Sequence, residues 1–398
     1  MSDHESDTEE QQELDLSKSD VVTKYKAAAK ITNSVLASII QACKPDARIA
    51  ALCEQGDKSI QEAVSKEFKG KTIEKGVAFP TCISPNHVVG HFSPLREDTT
   101  VVKAGDLLKI DLGVHIDGFI ATAAHTLQVP ESSVSSSEQQ AAPITGKAAD
   151  VVAAAQSALE AALRLVRPGK HISDVPDVLR KVVESYGCNL VEGVMSHQMK
   201  QFVIDANKCV LNRPSPEHKV EDGEFEENEV YAIDIVVSTG EGKPKIVDEK
   251  QTTVYKRALD MVYSLKMKAS RTVFKEINTR FPALPFTFRE LEGTSSREAS
   301  SSRLGIVECL SHGLLHPYPV MYEKSGELVA QFKTTVLLMP NGSDRITSAP
   351  LQELSTDKQI TDDEVKALLA SSLKSKKKNK KKKVPKAENG LKDAEAAQ

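Results

Sequence analysis

KIDLGVHIDGFIATAAHT, running from Lys109 to Thr126, reads as a β-hairpin. Two runs rich in apolar and β-branched residues, spanning Gly105 to Val129, meet at Asp117-Gly118, a dipeptide suited to the two positive-φ positions of a type I′ turn. With those residues as the turn, Gly113 faces Thr122. Asp111 and Thr122 then share one face of the ribbon as diagonal neighbours, roughly 7 to 8 Å apart. A dinuclear metal site would want a carboxylate at both positions. The first has one and the second has a hydroxyl.

Outward from the hairpin the chain echoes itself. Upstream, Val21, Val22, Tyr25, Ala28, Ile31, Val35, Leu36 and Ile39 recur at helical spacing behind Asp20 as a cap. A second helix covers Arg48 to Phe68, and Val77 to Ser84 is a strand. Downstream, Ile144 to Val166 is an Ala-rich helix closed by Pro168-Gly169, Ser173 to Tyr186 is another ending at Gly187, and strands follow at Cys188 to Val191 and Val230 to Ser238. DLLKIDLGV at Asp106 to Val114 matches EVYAIDIVV at Glu229 to Val237, each with an Asp after Ile in a buried strand downstream of two helices. The pattern predicts a duplicated α+β core with a site shared between its halves.

A chain of 398 residues, 40% of them hydrophobic, can bury one large or two medium cores. No run approaches the roughly 18 to 20 apolar residues of a bilayer span, and the acidic start lacks the basic and apolar regions of a secretion signal, so neither membrane insertion nor secretion is expected. Cys43, Cys53, Cys82, Cys188, Cys209 and Cys309 are scattered without a CxxC pair and read as reduced thiols. The net charge of −4 hides polarised ends: Met1 to Asp20 hold eight acids against one Lys, and Lys374 to Lys386 hold nine lysines and no acid. Lys250 to Arg303 carry eleven Lys or Arg against five acids, together with Tyr255, Tyr263, Phe274, Phe281, Phe286 and Phe288. The aromatics suit base stacking, but core of a small subdomain is the better assignment for most of them. Leu328 to Pro340 returns to strand composition, and Thr361 to Leu373 is a short capped helix. The chain thus divides into an acidic disordered tail (1–19), a folded body (20–349) containing a basic insert (250–315), and a C-terminal helix with a lysine-rich disordered tail (350–398).

Five segments carry a resemblance: AFPTCISPNHVVGHFSP at Ala78 to Pro94, the hairpin itself, SHQMKQFVID at Ser196 to Asp205, NEVYAIDIVVSTGEGK at Asn228 to Lys243 and AQFKTTVLLMPNG at Ala330 to Gly342. From about Val21 to Pro340 the chain resembles the type II methionine aminopeptidases of pita-bread fold, and among them the proliferation-associated, ErbB-binding subfamily. The insert before HPYPV at His316 to Val320 falls where the type II enzymes carry theirs. The resemblance implies an α+β pita-bread fold with pseudo-twofold halves and an inserted basic helical subdomain. The active family holds its metals with two Asp, one His and two Glu. Those positions fall here on Asp111, Thr122, His197, Asp234 and Lys333, and the substrate-facing histidines fall on His91 and Asp205.

Two of the five ligands have thus lost or reversed their charge. Four negative charges offset two divalent ions in the active set, whereas Asp111, Asp234 and Lys333 sum to −1, and an ammonium cannot ligate a metal unless deprotonated. Lys333 is expected to stand where a metal would, paired with Asp111 or Asp234. No metal or cofactor is expected, and the chain reads as a pseudoenzyme. The rival is an active metal-dependent methionine aminopeptidase with an altered ligand set.

The resemblance further implies a regulator of growth and translation in the nucleus, nucleolus and cytoplasm. Its expected partners are ribosomal RNA, the large ribosomal subunit, other structured RNA and nuclear proteins. The candidate RNA contacts are Lys266, Lys268 and Arg271 in the insert and Lys374, Lys376, Lys377, Lys378, Lys380, Lys381, Lys382 and Lys383 in the tail. A solvated tail, a nuclear targeting signal and a phosphate-binding arm all fit the lysine run, and its charge density favours a polyanion. Lys24-Tyr25-Lys26 matches a short basic element that relatives use in nucleolar targeting. Val365, Leu368 and Leu369 resemble an LxxLL helix whose first Leu is Val, and a packing face is the better reading.

Overall fold

The computed structural model describes residues 14–130, 143–215, 219–293 and 295–373. The first half contains α1 (Ser19–Ala42), α2 (Ile49–Val64), β1 (Lys75–Pro85), β2 (Leu107–Ile116) and β3 (Phe119–Gln128). Asp20 does not cap α1: Lys18 is the N-cap, and Asp20 lies in the first turn, where its carboxylate meets Lys24 Nζ one turn on at 2.6 Å. The hairpin turn has positive φ at both Asp117 (55°) and Gly118 (76°), and Gly113 opposes Thr122. The second half repeats the scheme with α3 (Gly146–Leu165), α4 (Val175–Glu184), β4 (Met195–Met199), β5 (Cys209–Leu211) and β6 (Val230–Ser238).

Next comes the insert, with β7 (Val254–Arg257), α5 (Lys268–Arg280), β8 (Phe286–Thr287), α6 (Ser296–Ser311) and β9 (Leu315–Tyr318). It joins its two helices to a three-stranded sheet in the order β8-β7-β9. Tyr255, Phe286 and Phe288 are buried there with Val273, Ile277 and Ile306, and Tyr263, Phe274 and Phe281 pack against them. The chain then returns to the body through β10 (Val329–Met339) and β11 (Gly342–Arg345), and α7 (Asp363–Ala370) follows, capped by Asp362.

The main sheet runs β1-β2-β3-β10-β6-β4-β5, so the two halves meet where β3 pairs with β10. Strand alternation sorts its faces. Ile110, Leu112 and Val114 join α1 and α2 in one core, while Ile233, Ile235, Phe332 and Val336 join α3 and α4 in the other. Both helix pairs thus cover one side of the sheet, and the intervening residues Asp111, Lys333 and Asp234 are left to the other. This is the pita-bread arrangement.

Candidate functional site

One row of residues crosses the middle of the sheet. Asp111 on β2 pairs with Ala124 on β3, Ala124 with Lys333 on β10, and Lys333 with Asp234 on β6. Directly opposed residues face the same side, so both carboxylates and the ammonium point into one space, with only the Ala124 methyl between Asp111 and Lys333. Lys333 Nζ lies 2.6 Å from Asp111 Oδ2, 2.9 Å from Asp234 Oδ2 and 5.4 Å from the centre of the Phe79 ring. The period of two adds their neighbours: Thr122 lies two residues before Ala124, His197 opposes Ala232, two residues before Asp234, and Gln331 lies two residues before Lys333.

Gln331 is the contributor that residue-by-residue reading passed over. Its Nε2 donates to Asp234 at 3.0 Å and stands 3.5 Å from Asp111, tying the carboxylates together beside the lysine. Strand alternation from Lys333 is the signal that could have found it. Ser196 Oγ accepts from Asp234 N, and Asn212 Nδ2 donates to Asp234 O at 2.6 Å, fixing the backbone that carries this carboxylate.

A cavity of about 880 Å³ opens over this face. His91 lines it with φ +62°, its Nδ1–H donating to Pro319 O at 3.1 Å. Burial holds His91 neutral, with its pKa down at about 4. Burial also lowers the pKa of His197, and Lys333 adds to the effect. Asp205 stands exposed at the rim, held by Lys256 of the insert. Burial pushes Asp111 up to about 6 against the pull of the ammonium. On Lys333 burial opposes charge, but attraction to Asp111 and Asp234 outweighs it and the pKa is raised. Asp111 Oδ1, Thr122 Oγ1 and His197 Nδ1 are buried without a hydrogen-bond partner.

This donor set does not fit two metal ions. A protonated amine fills the space between the carboxylates and has no lone pair to offer, Thr122 brings a neutral hydroxyl, and the two carboxylates with the ammonium leave one net negative charge against the four positive charges of two divalent cations. Among the described residues no group of three His, Cys, Asp or Glu side chains is arranged to hold an ion. Asp111, Thr122, His197, Asp234, Lys333 and His91 therefore come together as one buried polar site, with Asp205 at its mouth.

The basic candidates lie elsewhere. Lys266 and Lys268 are exposed at the start of α5, whereas Arg271 Nη1 is bound to the carbonyl oxygens of Leu265 and Lys266. Lys374, Lys376, Lys377, Lys378, Lys380, Lys381, Lys382 and Lys383 fall outside the described residues, as do residues 1–13 of the acidic tail. Lys24 and Tyr25 are buried: Lys24 Nζ meets Asp117 at 2.8 Å, and Tyr25 packs edge-on to Phe119.

Comparison with known proteins places this geometry in a family. The sequence pattern of metallopeptidase family M24 matches residues 23–266. The ErbB-3 binding protein 1 of Solanum tuberosum is 56% identical over 395 residues, 98% of either chain. The curved DNA-binding protein of Schizosaccharomyces pombe is 40% identical over 397 residues, 98% of this chain and 100% of that one. Among solved structures, that of a thermophilic Arx1 superposes with a TM-score of 0.82 at 30% identity, covering 90% of this chain and 100% of the other. Sheet order, halves and sequence agree, and the chain belongs to metallopeptidase family M24 and, within its methionine aminopeptidase-like members, to the ErbB-3-binding, proliferation-associated subfamily.

Proposed function

We propose that this protein is a catalytically inactive methionine aminopeptidase homologue that acts as an RNA- and ribosome-associated binding protein in growth and translation regulation. In this reading it works in the nucleus, nucleolus and cytoplasm. Its partners are ribosomal RNA, the large ribosomal subunit, other structured RNA and nuclear proteins. The observation that carries the loss of catalysis is the Lys333 ammonium between Asp111 and Asp234. Hydrolysis by this family's chemistry needs a metal-activated water at that point, and a cation already neutralises one of the two carboxylates there.

Support for nucleic-acid binding is electrostatic. Lys250 to Arg303 carry a net charge of +6, eleven basic residues less five acids, on a folded module, and Lys374 to Lys386 add nine lysines. The fission-yeast relative is itself named for binding DNA. Three measurements test the reading. Elemental analysis of the purified protein should find no stoichiometric cobalt, manganese, iron or zinc, and incubation with Met-initiated peptides should release no methionine. A bound metal pair with chelator-sensitive turnover would sink the pseudoenzyme half, and failure to co-sediment with ribosomes at low salt would sink the RNA half.

A further inference from the structure

A second cavity, of about 540 Å³, lies at the seam between the insert and the first half of the body, away from the Lys333 site. Its walls come from α2, β1, the end of β2 and the α5–β8 connection. We propose that this seam admits one nucleotide of a single-stranded RNA segment, an inference that rests on the RNA-binding reading above and locates a contact for it.

The charged groups of the walls are mostly committed to one another. Asp57 is bound to Arg289 at 2.7 Å, Glu54 to Arg96 at 2.9 Å and Glu290 to Arg280 at 2.6 Å, Arg96 and Arg280 hold Glu292 and Glu276 as well, and Lys75 donates to Glu67 O, which leaves Lys58 as the most open of the five cations. At the floor sits His115, only 7% exposed and, with a pKa lowered by burial to about 4, neutral. Gly118 N donates to its Nδ1 at 3.3 Å, which puts the ring hydrogen on Nε2, and no described residue accepts from that Nε2–H. The backbone at Gly76 passes close beneath this ring, since a Cβ there would stand 3.2 Å from the Gln61 amide and 3.6 Å from His115 Nε2. A ligand for this space must bring an acceptor to the His115 Nε2–H, and the cation open to an anion is Lys58 at the rim.

It must also be flat. Arg280 Nη1 donates to Glu276 Oε1 and Glu290 O, both at 2.8 Å, and Nη2 donates to Glu290 Oε2, so the guanidinium is fixed in its own plane. Behind it lies Phe281, with its ring centre 4.8 Å from the guanidinium carbon, and Phe281 stacks on Phe286 at 4.9 Å and 16°. The Arg280 side chain is still 40% exposed, so this stack ends in a planar cation against which a base can lie. The base edge then meets the His115 Nε2–H, and the phosphate stays at the wet rim beside Lys58. That side chain is 75% exposed, and its ammonium stands 3.9 Å from Glu62.

The test uses the full chain and a fluorescein-labelled single-stranded RNA pentamer, read by anisotropy. Lys58→Glu at the rim and Gln61→Trp, which plugs the mouth from an exposed helix position, should each weaken pentamer binding by about fivefold or more. Ribosome co-sedimentation should change little, because the lysine tail is intact. A 4-thiouridine pentamer should crosslink to peptides containing His115 or Phe281. Unchanged pentamer affinity in both variants, or adducts confined to other segments, overturns the seam site. Binding to ribosomes without measurable binding to the pentamer also overturns it and leaves the RNA reading standing, whereas binding to neither overturns the reading on which it rests.

Discussion

Lys333 illustrates how one side chain changes the chemistry of a pocket whose backbone is kept. It is 9% exposed and matched with two carboxylates that are as deeply buried, so its removal leaves charge without a partner. Lys333→Ala should lower stability by about 3 kcal/mol or more, as broken buried pairs do, and adding Asp111→Asn and Asp234→Asn should recover much of that loss. Urea unfolding at neutral pH checks this, and a Lys333→Ala variant with the parent's midpoint would show that the ammonium is not held between the carboxylates. The pKa of Lys333 is raised from 10.5, so its contribution is fully present below that pH and is lost only as pH rises through the higher folded value. On the acid side, His91, His115 and His125 are each held near 4 by burial and stay neutral in the fold, but take up protons on unfolding. Asp111, raised to about 6, works the other way in the same window, because the folded state holds its proton. His87 and His197, also lowered by burial, add to these three histidines, and Asp57, raised by burial, joins Asp111, so the histidines outnumber the carboxyls and stability should fall as pH drops from 6 to 4.5. Urea midpoints across that range check the sign, and a flat profile would mean that these histidines are solvated.

At the level of elements, the insert is fastened to the body by a buried ion pair. Arg289 donates to Asp57 Oδ2 at 2.7 Å, to Ser93 Oγ at 2.8 Å and to Pro94 O at 2.9 Å, while Asp57 Oδ1 accepts from Thr81 N at 2.7 Å. The segment after β8 is thereby joined to α2 and β1. Replacing Arg289 with Met keeps the stem but strands the Asp57 carboxylate, and should cost about 3 to 5 kcal/mol. Hydrogen exchange should quicken first in β7, β8 and α5, and uniform quickening across the main sheet would show that the insert and body open as one unit. The C-terminal helix is likewise committed to packing. Val365 is buried, and Leu368 and Leu369 pack against the core that contains α3 and α4, so an LxxLL-type partner would have to lift α7 off the body first. A receptor for Lys24-Tyr25-Lys26 faces the same obstacle in α1, since Lys24 is bound to Asp117 and Asp20.

For the whole molecule the proposed RNA-binding role rests on the distribution of charge. In that role the insert, of net charge +6 from Lys250 to Arg303, positions the protein, and the lysine run adds phosphate contacts that carry no sequence information. Deleting residues 374–398 should lower both affinity for ribosomes and the salt dependence of binding, by roughly 0.7 to 0.9 in log slope for each phosphate that the tail no longer neutralises. Reversing Lys266 and Lys268 to Glu should remove ribosome preference while the tail still holds the particle weakly. Arg271 is best left alone, because its bonds to two carbonyl oxygens anchor the start of α5. Ribosome co-sedimentation over a salt series separates the two effects, and binding that neither change alters would place the RNA contact outside both segments.

The sequence alone determined whatever depends on neighbours along the chain. Asp117-Gly118 set the turn, the turn set the register that opposes Gly113 to Thr122, and strand alternation put Asp111 and Thr122 on one face. The helices of both halves were legible from apolar periodicity, because each presents a continuous stripe to the sheet. The Asp20 cap was misplaced, since a helix start is decided by backbone angles within a residue or two, on which composition is nearly silent. The resemblance supplied the five positions of the central site. Tertiary structure alone decided that Lys333 meets both carboxylates, because β10 is sandwiched between β3 and β6 only once residues more than 200 apart in sequence have paired. The role of Gln331, the burial of Lys24 and the seam beside Arg280 have the same origin. Each depends on which surfaces are brought face to face, and no local pattern encodes that.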